Sequence, residues 1–246
     1  MTDPPLPPNA ALRWDRVSRL LPRDARDVLE IGCGGGAVAV RLARRYRYVG
    51  VDIDESSVRA TKKRLADAGV PGDVLLGDPA DALPDSATFD LICAFEVLEH
   101  VEDDQNALRR WSARLRPGGT LIVSVPAWQS RYSIWDELGG HFRRYDMDVL
   151  TDRLAAAGLE SRSITYGWPL SYALEAIRDA VARRRGVESS GGSFEARTEA
   201  SGRVFKPWTG GVRTRIVQAG LVPFALLQRC TTTHGPNLLG LGRKPL

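Results

Sequence analysis

The chain has 246 residues, 43% hydrophobic and 26% charged, a composition that suits one soluble globular domain with embellishments. The formal charge of +4 is too small for a dedicated nucleic-acid binder, and the 34 basic residues include only four lysines, an arginine excess that reads mostly as genome composition, with some pull towards anionic ligands or membrane surfaces. The three cysteines, Cys33, Cys93 and Cys230, are odd in number and widely spaced, which excludes a disulfide framework and fits a reducing, cytoplasmic compartment.

Residues 1–9 carry four prolines and no basic-then-apolar pattern, so they read as a flexible arm and not as a secretion signal. Residues 10–21 follow as a helix ended by Pro22. Strands and helices then alternate. Strands are predicted at 27–31, 48–51, 73–76, 89–94 and 120–125, and helices at 36–46, 55–68 and 104–115. Asp104 is placed to cap the last of these helices, with Arg114 and Arg116 at its C-terminal end. The alternation predicts an α/β doubly wound sheet with helices on both faces. Residues 126–145 break the pattern and are too long for a plain connection. A helix at 148–157, stopped by Gly158, and a strand at 161–166 return to the core. Residues 169–236 read as a helical insertion. It contains a helix ending in Arg183, Arg184 and Arg185, a polar stretch at 186–203 expected to be mobile, and a second apolar helix near 212–229. No run of about 18 apolar residues exists to span a membrane. Residues 237–243 read as a final strand.

The most informative stretch is VLEIGCGGG at 28–36: an apolar strand, a glycine turn and then a helix whose N-terminal N–H groups face that turn. This is a nucleotide-binding element. Gly32, Gly34 and Ala37 also satisfy the dinucleotide fingerprint, so the turn alone leaves the nucleotide open. Glu30 precedes the first glycine by two residues, Asp52 ends the second strand, Asp78 follows the third, and LRPGG at 115–119 leads into the fifth. Together with GVDID at 50–54 and FDLI at 89–92, these stretches resemble the class I S-adenosylmethionine-dependent methyltransferases. The resemblance spans about residues 10–168 and the last ten, and implies a Rossmann-like sheet of seven strands with the last one antiparallel. It further implies S-adenosyl-L-methionine as cofactor. Glu30, Gly32, Gly34 and Gly36 would line its methionine and ribose side, and Asp52 would accept both ribose hydroxyls. Ile53 would pack on adenine, Asp78 would accept from the adenine amine beside Pro79 and Ala80, and the backbone of Ala94 and Phe95 would hold the amino-acid end.

A second motif, EVLEH at 96–100, follows the fourth strand. On a helical turn Glu96, Glu99 and His100 share one face, a donor set for a divalent ion, and His141 on the loop after the fifth strand could close it. The motif resembles that of the metal-dependent O-methyltransferases of ubiquinone biosynthesis and of small-RNA 3′ ends. That implies Glu96, Glu99, His100 and His141 as ligands to Mg²⁺, Mn²⁺ or Zn²⁺, with the ion lowering the pKa of an acceptor hydroxyl. Without an ion, His100 or His141 would be the base. GGHFRRY at 139–145 resembles an element of a subset of these enzymes. Arg143, Arg144 and Tyr145 would grip an anionic acceptor group, or else the arginines pair with acids and Tyr145 packs. Trp128, Tyr132, Trp135 and Trp168, with the N-terminal helix around Trp14, would offer the acceptor an aromatic surface.

The sequence thus favours O-methylation of a small-molecule acceptor, aromatic, lipid-like or natural-product in kind. N-methylation, RNA 2′-O-methylation and a non-catalytic S-adenosylmethionine-binding subunit are the alternatives. Weak net charge and the lack of an RNA-binding domain disfavour nucleic acid as partner. The insertion would serve as a lid, a homodimer surface or a peripheral membrane contact.

Overall fold

A computed structural model describes residues 3–185 and 212–246 of the chain. The strands are β1 (Asp27–Ile31), β2 (Arg47–Asp52), β3 (Asp73–Leu76), β4 (Phe89–Phe95), β5 (Leu115–Pro126), β6 (Glu160–Tyr166) and β7 (Asn237–Arg243). They form one sheet in the order β3-β2-β1-β4-β5-β7-β6. All neighbours are parallel except β7, which runs antiparallel to both β5 and β6, as the family resemblance implies.

The helices are α1 (Pro8–Leu20), α2 (Ala37–Ala43), α3 (Glu55–Ala68), α4 (Pro79–Ala82), α5 (Asp104–Ala113), α6 (Ile134–Gly139), α7 (Met147–Ala155), α8 (Leu170–Arg185) and α9 (Val212–Leu227). The sheet divides the core in two. Alternate residues of a strand face opposite sides, so Val28 packs with Leu12, Leu42 and Leu65, while Leu29 packs with Leu108, Leu150 and Leu154. Central parallel strands buried on both faces need near-continuous apolar runs, which is why β1 and β4 are legible. The ends of α3 follow local chemistry: Asp54 accepts from Ser56 N and Ser57 N at 3.2 and 2.9 Å, and Gly69 ends the helix at φ 63°.

Several boundaries differ from the sequence expectation. Pro8 opens α1, Leu6 is buried, and Asp3 pairs with Arg44 at 2.8 Å, so the arm packs against the domain from residue 3 onward. Asp103, not Asp104, caps α5 by accepting from Asn106 N at 3.0 Å. Asp104 is instead buried beneath Arg143, Arg153 and Tyr145. Helices α4 and α6 are short and went unread. Helices α8 and α9 fill part of the insertion, and the polar stretch at 186–203 lies outside the described residues. The C-terminal end of α9 is pinned to α1 through buried Gln228, which donates to Leu12 O at 3.0 Å and accepts from Gly167 N at 3.0 Å. Among the described residues no helix is long and apolar enough to cross a membrane.

Candidate active site

A cavity of about 1970 Å³ opens at the C-terminal ends of β1, β2 and β4. Single-ligand pockets hold roughly 300–1,000 Å³, so this one has room for a nucleoside and an acceptor together.

Its first half is made by the glycine turn. Gly32 and Gly36 sit at φ 70° and 73°, and a Cβ on them would lie 2.4 Å from Val97 Cγ2 and 2.8 Å from Thr61 Cα. Only glycine keeps this backbone open. Asp52 braces the turn, with Oδ2 accepting from Gly34 N at 2.8 Å and Oδ1 from Asp54 N at 3.0 Å. Glu30 shares the sheet face of Val28 and accepts from Tyr48 Oη at 2.7 Å. Burial pushes Glu30 up to about 8, against the Tyr48 bond and the Arg13 charge. Burial likewise raises Asp52 above the usual carboxylate range. A buried and a half-buried carboxylate held uphill in this way favour a cationic ligand. Ile53 stands at the lip with 71% of its surface exposed, a free apolar face for a flat ring. Asp78 also lines the cavity. It caps α4 through Ala80 N at 2.8 Å and pairs with Arg110 at 3.4 Å, both on Oδ1, with Pro79 buried behind it. Phe95 faces the cavity, while Ala94 lies in the strand behind.

Arg13 is a site residue that the sequence reading passed over. It reaches in from α1, 5.1 Å above the Phe95 ring and 3.2 Å from Glu96 Oε1, with its side chain 14% exposed. The signal was an arginine beside Leu12, Arg16 and Val17, the buried residues of α1. The expected contact, Trp14, instead packs at the edge of the core under Arg41 and Arg45.

His100 lines the second half, and Glu99 and His141 stand beside it outside the lining. Residues 98–100 form one 3₁₀ turn, preceded by Glu96 at φ 57°. That geometry separates the two glutamates. Glu96 turns towards Ser124 Oγ at 2.7 Å, Tyr166 Oη at 3.1 Å and Arg13, so it does not share a face with Glu99 and His100 as expected. Glu99, His100 and His141 do come together, with ligand atoms within 4.8 Å of one another. In a tetrahedral shell with bonds of about 2.1 Å two ligand atoms stand about 3.4 Å apart, so an ion at this spot would draw the atoms together by up to about an ångström and a half. Glu99 has no exposed surface, and neither of its oxygens has a hydrogen-bond partner among the described residues. Burial, then the charge of Glu96, holds it well above the usual carboxylate range. Each imidazole donates Nδ1–H to a fixed oxygen: His100 to Gly140 O at 3.2 Å and His141 to Asp136 Oδ1 at 2.9 Å. Both therefore offer Nε2 as a lone pair. Burial, then His141, pushes His100 down to about 4. Burial alone would raise Asp136, but its bonds from His141 and Arg144 hold it well below the carboxylate range.

Arg143, Arg144, Tyr145 and Trp128, expected to meet the acceptor, do not line the cavity, and neither do Tyr132, Trp135 and Trp168. Arg143 pairs with Asp104 at 2.9 Å, and Arg144 is buried against Asp136 at 2.9 Å. Tyr145 donates to Asp104 Oδ2 at 2.9 Å, and Trp128 Nε1 donates to Gly235 O at 2.8 Å. Buried acids on α5 and α6 claim the two arginines, as buried charges require partners. The cavity is lined there instead by Asn9, Arg13, Glu96, His100, Tyr166 and Asn237.

Residues 9–164 match a family described as a methyltransferase domain. An uncharacterized methyltransferase of Mycobacterium tuberculosis is 33% identical over 178 residues, covering 71% of this chain and 86% of the relative. A ubiquinone biosynthesis O-methyltransferase of Chromobacterium violaceum is 34% identical over 118 residues, 46% of this chain and 50% of that protein. Among solved structures, the YcgJ protein of Bacillus subtilis superposes with a TM-score of 0.58 at 17% identity, covering 97% of this chain and 99% of that one. Phosphoethanolamine N-methyltransferase 2 of Haemonchus contortus, in complex with S-adenosyl-L-methionine, gives 0.56 at 15% identity, covering 94% and 51%. The seven-stranded fold and the family match agree: this chain belongs to the methyltransferase-domain family and is a class I S-adenosylmethionine-dependent methyltransferase.

Proposed function

We propose that the enzyme O-methylates a small-molecule hydroxyl, with a divalent ion held by Glu99, His100 and His141. The carrying observation is Glu99. A fully buried carboxylate with neither oxygen bonded is costly unless something compensates it, and it stands beside two imidazoles that each present Nε2. Carboxylate and imidazole together suit Mg²⁺, Mn²⁺ or Zn²⁺. When bound, such an ion lowers the pKa of a coordinated hydroxyl. With its pKa near 4, His100 is neutral at pH 7, which suits ligation and makes it a weak base. The hydroxyl acceptor is further supported by the ubiquinone biosynthesis O-methyltransferases, about half of whose length this chain matches.

The methyl donor would lie along the glycine turn. Glu30 and Asp52 would face the ribose and the cationic side, Ile53 and Asp78 the adenine, and Arg13 the carboxylate of the amino-acid end beside Phe95. The residues mainly align donor and nucleophile, and such positioning is worth about 7–11 kcal/mol. A second reading rests on the 2.9 Å His141–Asp136 bond: His141 Nε2 takes the proton itself, with no ion.

The test is incubation with methyl-labelled S-adenosylmethionine and a cell extract, followed by mass spectrometry of the labelled products. Label on oxygen that EDTA abolishes and Mn²⁺ or Mg²⁺ restores is the expected result. Transfer indifferent both to EDTA and to Glu99→Ala overturns the metal reading, and loss in His141→Ala alone then favours the base. Label on nitrogen overturns O-methylation.

A further inference from the structure

The loop that carries His141 is held by a chain of buried charges leading out to the insertion. Asp136, 2% exposed in α6, uses both carboxylate oxygens. Oδ1 accepts from His141 Nδ1 and Arg144 Nε, each at 2.9 Å. Oδ2 accepts from Ser133 N at 2.8 Å, Arg144 Nε at 3.0 Å and Ser133 Oγ at 3.1 Å. A carboxylate saturated in this way has one orientation. Arg144 is itself only 4% exposed and reaches Glu175 Oε1 of α8 at 3.6 Å. Glu175 Oε2 in turn accepts from Arg131 at 2.9 Å.

The same stripe of α8 makes the neighbouring contacts. Tyr172, Glu175 and Arg178 lie three residues apart on one helix face. Arg131 stacks 4.7 Å from the Tyr172 ring, Tyr172 Oη accepts from Trp128 Nε1 at 3.0 Å, and Arg178 lies 5.2 Å from the Trp135 ring. No residue of this chain of contacts, His141 included, lines the cavity or touches the glycine turn; it meets the cavity through His100, whose ring His141 faces.

We propose that Asp136 is the positioning residue for His141, and that α8 holds Asp136 in place through Arg144 and Glu175. The inference rests on the metal reading of Glu99, His100 and His141. Asp136 fixes the tautomer that leaves His141 Nε2 unprotonated and fixes the ring plane, which stands edge-on to His100 with centroids 4.7 Å apart. The insertion thereby helps build the metal half of the site without contributing a ligand. It leaves the cofactor half untouched.

The experiment uses the full-length protein and Co²⁺ as a spectroscopic probe. Visible absorption gives Co²⁺ affinity and geometry, and calorimetry gives S-adenosylhomocysteine affinity. Asp136→Asn should weaken Co²⁺ binding about 10- to 100-fold, the usual effect of losing such an outer partner. Glu175→Gln, on the rim of the network, guards against a folding failure of the first variant. It should weaken Co²⁺ in the same direction by less and alter its spectrum. Both should bind S-adenosylhomocysteine as the parent does. Unchanged Co²⁺ affinity and spectrum in both variants overturns the proposal, and an effect in Asp136→Asn alone overturns the part played by α8. Parallel loss of S-adenosylhomocysteine binding would mark general loosening and also overturns it. If the parent binds no Co²⁺, the metal reading itself fails, an outcome distinct from a bound ion indifferent to the variants.

Discussion

The two halves of the cavity are built by different means. The half around the glycine turn, proposed to hold the cofactor, is mostly backbone. Gly32, Gly34 and Gly36 shape it, Asp52 braces it through two N–H groups, and all of its parts fall within a few residues of the ends of β1, β2 and β3. The histidine half is mostly side chain. His141 answers to Asp136, Asp136 to Arg144, and Arg144 to Glu175 of α8, while Glu96 is drawn off by Ser124 and Tyr166. A backbone cradle is specified by local conformation and tolerates change around it. A side-chain network is specified by distant partners, so one lost charge leaves another buried and unpaired.

The largest expected effect separates the halves outright. Glu99→Ala should cut methyl transfer roughly 10²–10⁴-fold, the range for losing assisted proton removal. Its affinity for S-adenosylhomocysteine, read by calorimetry, should stay within about twofold of the parent, well under 1 kcal/mol. Loss of both would mean that the halves are one unit. Next, Asp52→Ala should weaken S-adenosylhomocysteine about 10- to 100-fold, since hydrogen bonds to a charged group are worth about 1.5–3 kcal/mol. Co²⁺ binding should be unaffected.

The third prediction concerns pH. Glu30 is held at about 8 in the folded protein against an ordinary 4.5, so the folded state binds more protons between these values. Stability of the cofactor-free protein should therefore fall as pH rises from about 4.5 to 8, by at most about 1.4 kcal/mol per unit from this group. Glu30→Gln should flatten that part of the profile in thermal melts at pH 6 and 8. Equal slopes in variant and parent would count against the buried, protonated carboxylate. The smallest effect is expected of Asp78→Ala, whose half-exposed carboxylate is already shared with Arg110 and the α4 cap. A loss of S-adenosylhomocysteine affinity below about fivefold would fit its solvent-screened position. A loss equal to that of Asp52→Ala would make adenine recognition as demanding as ribose recognition.

What could be read from sequence follows the same division. β1, β3, β7 and α3 were predicted residue for residue, because apolar runs, caps and glycines act over a few neighbours. Glu30, Asp52 and Asp78 were found by their offsets from strand ends, and all three line the cavity. Glu96 was misplaced because its φ of 57° cannot be inferred from helical spacing. Arg143 and Arg144 faced the choice between substrate and buried acid, which depended on Asp104 and Asp136 in other elements. α6 did carry a local sign, Ser133 three residues before Asp136, hidden in an aromatic-rich loop. Arg13 had no sign except its place beside the buried residues of α1.

The β6–β7 pairing has a consequence for how such enzymes diversify. Tyr166 and Asn237 are register partners, so the excursion between them leaves and re-enters the sheet at a single point. A loop whose ends are clamped together can double in length for about 0.6 kcal/mol of closure entropy. Segments of very different size can therefore be spliced in here while the sheet keeps its register. Tyr166 and Asn237 both line the cavity, so new recognition surfaces can be grafted beside it without disturbing the glycine turn.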